Sequence, residues 1–66
     1  MDEFDIWRSA DLLIKHHGEG APIVAAQLAD AFRGEGNREG LSDWIRIRRA
    51  IKDFQRRKAR AGEAVN

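Results

Sequence analysis

The sequence has no cysteine, no tyrosine and a single proline, and no apolar run approaches the ~20 residues that a membrane-spanning helix needs. Without cysteine, the chain has neither a disulfide nor a thiolate metal site. Its 66 residues form one domain at most, and the core of such a small domain is marginal without further support. The sequence therefore leaves a homodimer open as a route to additional buried area.

The features of a targeted protein are also missing. The chain begins Met1-Asp2-Glu3-Phe4-Asp5, whereas a secretory signal has a basic start followed by a long apolar segment. One helix is basic and amphipathic, as membrane-surface helices are, but its apolar stripe is needed for the core. We expect a cytoplasmic location and no membrane partner.

The whole chain is nearly neutral, but its two parts carry opposite net charges. The formal net charge is +1. Residues 1–45 carry four basic and nine acidic side chains, a net of −5, while residues 46–66 carry eight basic and two acidic side chains, a net of +6. Such a chain offers a cationic segment to an anionic surface, or folds it onto its own acidic part.

Apolar residues recur with the helical period in three segments, and little of the sequence alternates as a strand does. Two Gly-Glu-Gly linkers separate the segments. The first glycine of each linker, Gly18 and Gly34, is expected to take the positive φ of a residue that follows a helix end. The predicted helices span residues 3–17, 22–33 and 38–58.

Two further residues mark helix starts. Pro22 suits the first turn of the second helix, where its missing N–H is not needed, and Asn37 is the predicted N-cap of the third helix. Residues 59–66 show no apolar periodicity, so we predict that they form a flexible C-terminal tail. The predicted domain therefore comprises residues 1–58.

Stepping about 100° per residue places the apolar side chains of each helix on one side. The predicted fold class is all-α, a compact three-helix bundle with short Gly-Glu-Gly linkers. The predicted core face consists of Phe4, Ile6, Trp7, Ala10, Leu13, Ile14 and His17 on the first helix, Val24, Ala25, Leu28, Ala29 and Phe32 on the second, and Trp44, Ile47, Ala50, Ile51 and Phe54 on the third.

Part of this pattern resembles a known group of proteins. The residues concerned are Phe4-x-Ile6-Trp7-x-x-Ala10, His17-Gly18, Ala21-Pro22, Ala25-Ala26, Ala29-Asp30, Gly40 and Trp44-x-x-Ile47-x-x-Ala50-Ile51. Over most of residues 3–55 they resemble short bacterial helical proteins classed as domains of unknown function. The resemblance implies a small helical domain and brings no catalytic residues with it. The second and third helices are also similar to one tetratricopeptide hairpin, although no repeat follows.

No residue pattern predicts catalysis or a metal site. His16 and His17 are adjacent, so on a helix they diverge by about 100° and do not face one metal ion. The hydroxyl side chains Ser9 and Ser42 lie outside any strand–turn–helix elbow. We therefore expect no enzyme, no cofactor and no metal.

The strongest functional signal is a cluster of cations. Eight of the twelve basic residues lie between residues 46 and 60. Many of them share one side of the third helix with Leu41 and Ile45. An apolar pair rimmed by arginine is typical of the centre of a protein interface, and arginine suits bidentate contact with carboxylate or phosphate. We call this candidate surface the basic flank; it consists of Leu41, Ile45, Arg48, Arg49, Lys52, Arg56 and Arg57.

Three interpretations of the basic flank stay open. Its cations pair with Asp5, Asp11 or Asp30 of the same chain, in surface pairs worth ~0–1 kcal/mol each. Alternatively they bind an acidic protein surface, or the phosphates of RNA or DNA. The sequence also leaves open whether Leu41 and Ile45 belong to the core or to an interface.

We favour a non-enzymatic module that binds an acidic protein surface, with nucleic acid as the alternative partner. A helix-turn-helix is disfavoured because Glu39 and Asp43 lie at the end of the helix that would enter the DNA groove. The net charge of −5 on residues 1–45 also opposes broad phosphate binding.

Overall fold

The computed structural model describes the backbone of residues 1–65 and the side chains of residues 1–59. Within residues 1–65 the secondary structure is helical and contains no strand, which confirms the all-α class. The elements are α1 (Glu3–His17), a 3-10 helix (Gly18–Gly20), α2 (Ala21–Gly34) and α3 (Arg38–Val65). Because the 3-10 helix joins α1 to α2 directly, helical backbone forms two continuous runs, residues 3–34 and 38–65.

The junction between α1 and α2 therefore differs from the predicted linker. Gly18 does take a positive φ, 55°, as expected, and its N–H donates to the carbonyl of Ile14. The backbone departs from α-helical angles at Gly18, and residues 18–20 form one turn of 3-10 helix in place of an open linker. Short 3-10 turns are common at helix ends because they satisfy carbonyls that the α-helix leaves without a partner. Pro22 lies in the first turn of α2, as predicted.

The end of α2 corrects the prediction for Gly34, which lies inside the helix. The residue with positive φ is Gly36, at 72°. Its N–H donates to the carbonyl of Arg33 at 3.1 Å, and the N–H of Asn37 donates to the carbonyl of Phe32 at 2.9 Å. These two bonds form a Schellman motif, in which glycine belongs one residue past the C-cap. Asn37 then caps α3 as predicted, accepting the Gly40 N–H on Oδ1 at 2.9 Å.

The third helix extends further than expected. Its predicted end was residue 58, with a flexible tail over 59–66, but α3 continues to Val65. Three of the eight residues after residue 58 are alanine, the strongest helix former, which favours helix without any need for apolar periodicity. The absence of a core-facing stripe therefore does not predict the end of a helix. Asn66, the last residue of the predicted tail, lies outside the described residues.

The core is formed where alanines of α2 allow the three helices to approach closely. Its buried side chains, all in contact as one cluster, are Ile6, Ala10, Ala21, Ala25, Ile47, Ala50 and Ile51. Larger side chains close the edges of this cluster. Trp7 of α1 meets Phe54 of α3 edge to face, with ring centroids 4.9 Å apart and an angle of 80° between the rings. α3 is thus held between α1 and α2 along its buried side.

Two residues of the predicted core face are exposed. Phe4 keeps 71% of its surface in solvent, because it lies about 200° around the helix from the buried Ile6 and the two cannot face the same core. His17 is exposed as well. It is the last residue of α1, whereas the buried residues of α1, Ile6 and Ala10, lie in earlier turns.

A candidate protein-binding surface on the third helix

The packing of α3 determines which of its side chains face solvent. Ile47 and Ile51 are fully buried, and residues one or two positions away point to other sides of a helix. The cations of the basic flank therefore lie away from the core. All five, Arg48, Arg49, Lys52, Arg56 and Arg57, are exposed. The structure thus leaves the predicted charged residues exposed on α3. Four of them lie within about 100° of one another around the helix, and Arg57 lies further round.

The two apolar members of the basic flank differ in their burial. Ile45 is 36% exposed and counts among the exposed large apolar residues, while Leu41, one turn earlier, is half-buried. Ile45 has Arg48 and Arg49 as its neighbours three and four positions on, where side chains of a helix meet. Leu41 lines a shallow depression with Arg33 and Asn37. Ile45 is therefore the more accessible of the two, while Leu41 lies partly against neighbouring side chains.

The ion pairs among the described side chains are local. Lys15 binds Asp11 at 3.1 Å and Arg33 binds Asp30 at 2.8 Å, each within one helix. Arg56 approaches Asp53 of its own helix at 3.7 Å. Asp11 and Asp30, two of the three residues considered as internal partners of the basic flank, thus pair with cations in their own helices.

The remaining ion pair joins the N-terminus to the start of α3. The amino group of Met1 lies 3.9 Å from the Asp43 carboxylate. Among the described residues, no ion pair links a cation of the basic flank to a carboxylate of α1 or α2. Within residues 1–59, the carboxylate nearest to a cation of the basic flank is thus Asp53 of the same helix.

Two features near the basic flank were not predicted. Arg46 and Arg49 line a depression between α1 and α3, together with Trp7, Glu3 and Asp53. The spacing of Arg46, Arg49 and Asp53, three and then four residues apart, is a signal that places them in one row on a helix. This spacing does not reveal that the first turn of α1 lies opposite the row, because the position of α1 depends on how the two helices pack.

The second unpredicted contact joins the ends of α1 and α3. Gln55 donates a hydrogen bond from Nε2 to the carbonyl of Gly18, at 3.0 Å. The bond satisfies an acceptor at the turn after α1. The adjoining groove, also lined by Ile14 and Lys58, contains no hydroxyl side chain, and its ionisable groups are Glu19 and Lys58. No signal in the sequence points to Gln55, because side-chain amides are common on exposed helix faces.

Groups of three or more potential metal ligands do not come together in the described part of the chain. Among residues 1–59, no three His, Asp or Glu side chains are placed to hold a metal ion. His16 and His17 are both exposed, with ring centroids 6.5 Å apart. The candidate site is therefore the helical surface of α3.

Comparison with known proteins adds no further candidate. No family model, curated protein or solved structure matches this chain. The resemblance to short bacterial helical proteins and to a tetratricopeptide hairpin consequently stays a prediction. Within the described residues, no helix combines the length and the apolar character that crossing a membrane requires.

Proposed function

We propose that this protein is a non-enzymatic binding module that recognises an acidic protein surface through the basic flank of α3. The observation that carries the proposal is that the five cations of the flank are exposed, while none of them forms an ion pair with a described carboxylate of α1 or α2. Removing an arginine from water costs free energy unless an anion takes the place of the water. Exposed cations that face no carboxylate of another helix therefore favour an anionic partner.

The mechanism assigns different tasks to the apolar and charged residues. Ile45, at 36% exposure, provides apolar area that a partner removes from water, and Leu41 extends that area along the helix. Arg48 and Arg49 flank Ile45 and orient an acidic partner. Complementary charges of this kind act mainly on association rate and specificity, while the buried apolar centre contributes to residence time.

The architecture proposed for this task is the three-helix bundle in which α1 and α2 support one side of α3. The buried cluster of Ile6, Ala25, Ile47 and Ile51 supports this arrangement. A helix that is packed on one side keeps its outer face fixed, so little conformational entropy is lost when a partner binds. We include the expected cytoplasmic location in this proposal.

The test compares two substitutions on the flank. Ile45→Asp introduces a charge at its apolar centre and is expected to abolish retention of a protein partner. Because Ile45 is accessible, the variant should keep the parent's circular dichroism and melting temperature. The assay is quantitative capture by the immobilised protein from nuclease-treated extract of its native cells. The matched control is Lys15→Glu, which alters an exposed cation of α1 outside the flank and should retain the same partner.

Loss of folding in Ile45→Asp would show that Ile45 belongs to the core. If no protein is retained after nuclease treatment, or if every retained protein also binds the Ile45→Asp variant, protein binding through this surface is contradicted. Either result removes the interface centre on which the proposal depends.

A second candidate, nucleic-acid binding, is favoured by the residues beyond Phe54. Arg56, Arg57 and Lys58 are all exposed, and at 100° per residue they project from three sides of α3. Cations that surround a helix suit phosphates arriving from several directions, whereas a protein interface uses one face.

The discriminating variant for nucleic acid is Arg56→Glu combined with Arg57→Glu. If RNA or DNA is the ligand, this variant should weaken anisotropy-detected binding of a labelled duplex or single strand more than Ile45→Asp does. A protein that makes several phosphate contacts also loses orders of magnitude in affinity between about 50 and 200 mM salt. No binding at the lower salt concentration would exclude this alternative.

A further inference from the structure

The largest exposed aromatic side chain of the described residues lies in acidic surroundings. Phe4 is 71% exposed, and its neighbours in the sequence are Asp2, Glu3 and Asp5. We call these four residues the N-terminal acidic patch. The Asp2 carboxylate accepts the Asp5 N–H at 2.9 Å, so the patch is held to the first turn of α1. Single exposed apolar residues are common on protein surfaces, but an aromatic ring with a charged rim has the composition of an interface centre.

The N-terminal acidic patch is complementary to the basic flank in both composition and charge. One surface has an apolar centre, Phe4, with an anionic rim, and the other has an apolar centre, Ile45, with a cationic rim. Contact between them removes both apolar groups from water and matches opposite charges around them. The opposite net charges of residues 1–45 and 46–66 act in the same direction at longer range.

The two surfaces also lie next to each other in one molecule. Phe4 is three residues before Trp7, which packs on Phe54 of α3, and side chains three apart are neighbours on a helix. Glu3 lines the same depression as Arg46 and Arg49, although no ion pair joins them. Adjacent complementary surfaces suit a two-fold dimer, because one rotation places each surface on its counterpart in the other copy.

We propose that the acidic partner of the basic flank is a second copy of this chain, whose N-terminal acidic patch docks with Phe4 against Ile45. This inference rests on the proposed function and names the partner. The protein exposes 5034 Å² in total, and a standard interface would cover ~800 Å² per copy. A contact centred on one helix face therefore belongs to the weak, reversible class, with electrostatic attraction that salt screens.

The test is an exchange of charge between the two surfaces, followed by sedimentation equilibrium. In the first variant Glu3→Lys and Asp5→Lys make the acidic patch basic, and in the second Arg48→Glu and Arg49→Glu make the basic flank acidic. Each variant alone places like charges against each other and should self-associate at least about tenfold more weakly than the parent. An equimolar mixture restores opposite charges in both contacts and should recover the parent's association to within about threefold.

Two further variants define the specificity of the effect. Phe4→Ser removes the exposed aromatic ring and should leave a monomer with unchanged circular dichroism, because Phe4 makes no part of the core cluster. Lys15→Glu reverses a cation that lies outside both surfaces and changes the net charge by half as much as the flank reversal, so it should associate as the parent does.

Three results would overturn the inference: a parent protein that is monomeric at about 1 mM in low salt, a dimer that survives both charge reversals, or a mixture that fails to recover association. The proposed function fails by a different result, the absence of a nuclease-resistant partner that depends on Ile45. A monomer that still captures an acidic protein through Ile45 would therefore overturn the dimer alone.

Discussion

At the residue scale, Gly40 explains how closely α2 and α3 approach. A Cβ atom at this position would lie 2.7 Å from Cγ and Cε1 of Phe32, which is closer than packed carbon atoms approach each other. Cγ is attached directly to the Phe32 Cβ and moves only if the whole ring does. Gly40 therefore allows the Phe32 ring to lie on the first turn of α3.

We expect Gly40→Ala to destabilise the protein although alanine is the better helix former. The gain in helix propensity is about 1 kcal/mol, while forcing an extra carbon into a packed contact costs about 1–3 kcal/mol. The net loss should be about 1 kcal/mol, measured as the free energy of unfolding in urea.

Gly34→Ala is the matched control, because Gly34 lies in α2 with no atom within 4 Å of its added Cβ. The control should be stabilised by about 0.5–1 kcal/mol. Equal stabilisation of both variants would mean that the Phe32 ring moves aside freely.

At the element scale, α1 is held to α3 by Trp7 and Phe54. Both side chains are half-buried, and their edge-to-face contact adds about 0.5–1.5 kcal/mol to the burial of apolar area. The hydrogen bond from Gln55 to the Gly18 carbonyl lies near the other end of α1. These contacts keep α1 in a fixed position beside α3.

Trp7→Ala should therefore lower the free energy of unfolding by about 2–3 kcal/mol, less than the ~3–5 kcal/mol of a fully buried aromatic residue. For a domain of this size such a loss is a large part of the total stability. Phe4→Ala removes an aromatic side chain from the same helix and should cost less than about 0.5 kcal/mol at low protein concentration. A Trp7→Ala variant that melts with the parent would contradict the role of this contact.

The helix bounds and caps could be predicted from the sequence where neighbouring residues alone determine them. The bounds of α1, the position of Pro22 and the cap at Asn37 follow from capping preferences and apolar periodicity, and the structure agrees with each. Two ends were mispredicted for physical reasons. A Schellman motif needs its glycine one residue after the C-cap, so the left-handed residue is Gly36 and not Gly34. A helix also continues through alanine-rich sequence that has no apolar periodicity, as α3 does.

The candidate site shows the same division between local and tertiary information. The cations of the basic flank could be placed together from the helical period alone, and all are exposed. The burial of Leu41 relative to Ile45, and the position of Glu3 beside Arg46, depend on the packing of α1 and α2 on α3. The helical period could have predicted the exposure of Phe4, since Phe4 lies about 200° around α1 from Ile6; it was assigned to the core on its apolar character alone.

At the scale of the whole molecule, the described core is apolar and the charges lie outside it. No buried residue among those described is polar or charged, and the ion pairs at 3.1 and 2.8 Å lie within single helices. Folding should therefore depend on apolar burial, whereas binding through the basic flank should depend on charge. Salt, which screens exposed charges over about 10 Å at 0.1 M and about 3 Å at 1 M, separates the two.

We expect the free energy of unfolding to change by less than about 1 kcal/mol between about 0.05 and 1 M NaCl, because exposed pairs within a helix contribute only about 0.3–0.5 kcal/mol each. The measurement is urea unfolding at micromolar protein concentration, where a weak dimer is dissociated. The flank reversal Arg48→Glu with Arg49→Glu should match the parent at both salt concentrations. If salt or the reversal instead removed several kcal/mol, the cations of α3 would be paired with the chain's own acidic part in solution, and the basic flank would be occupied before any partner arrived.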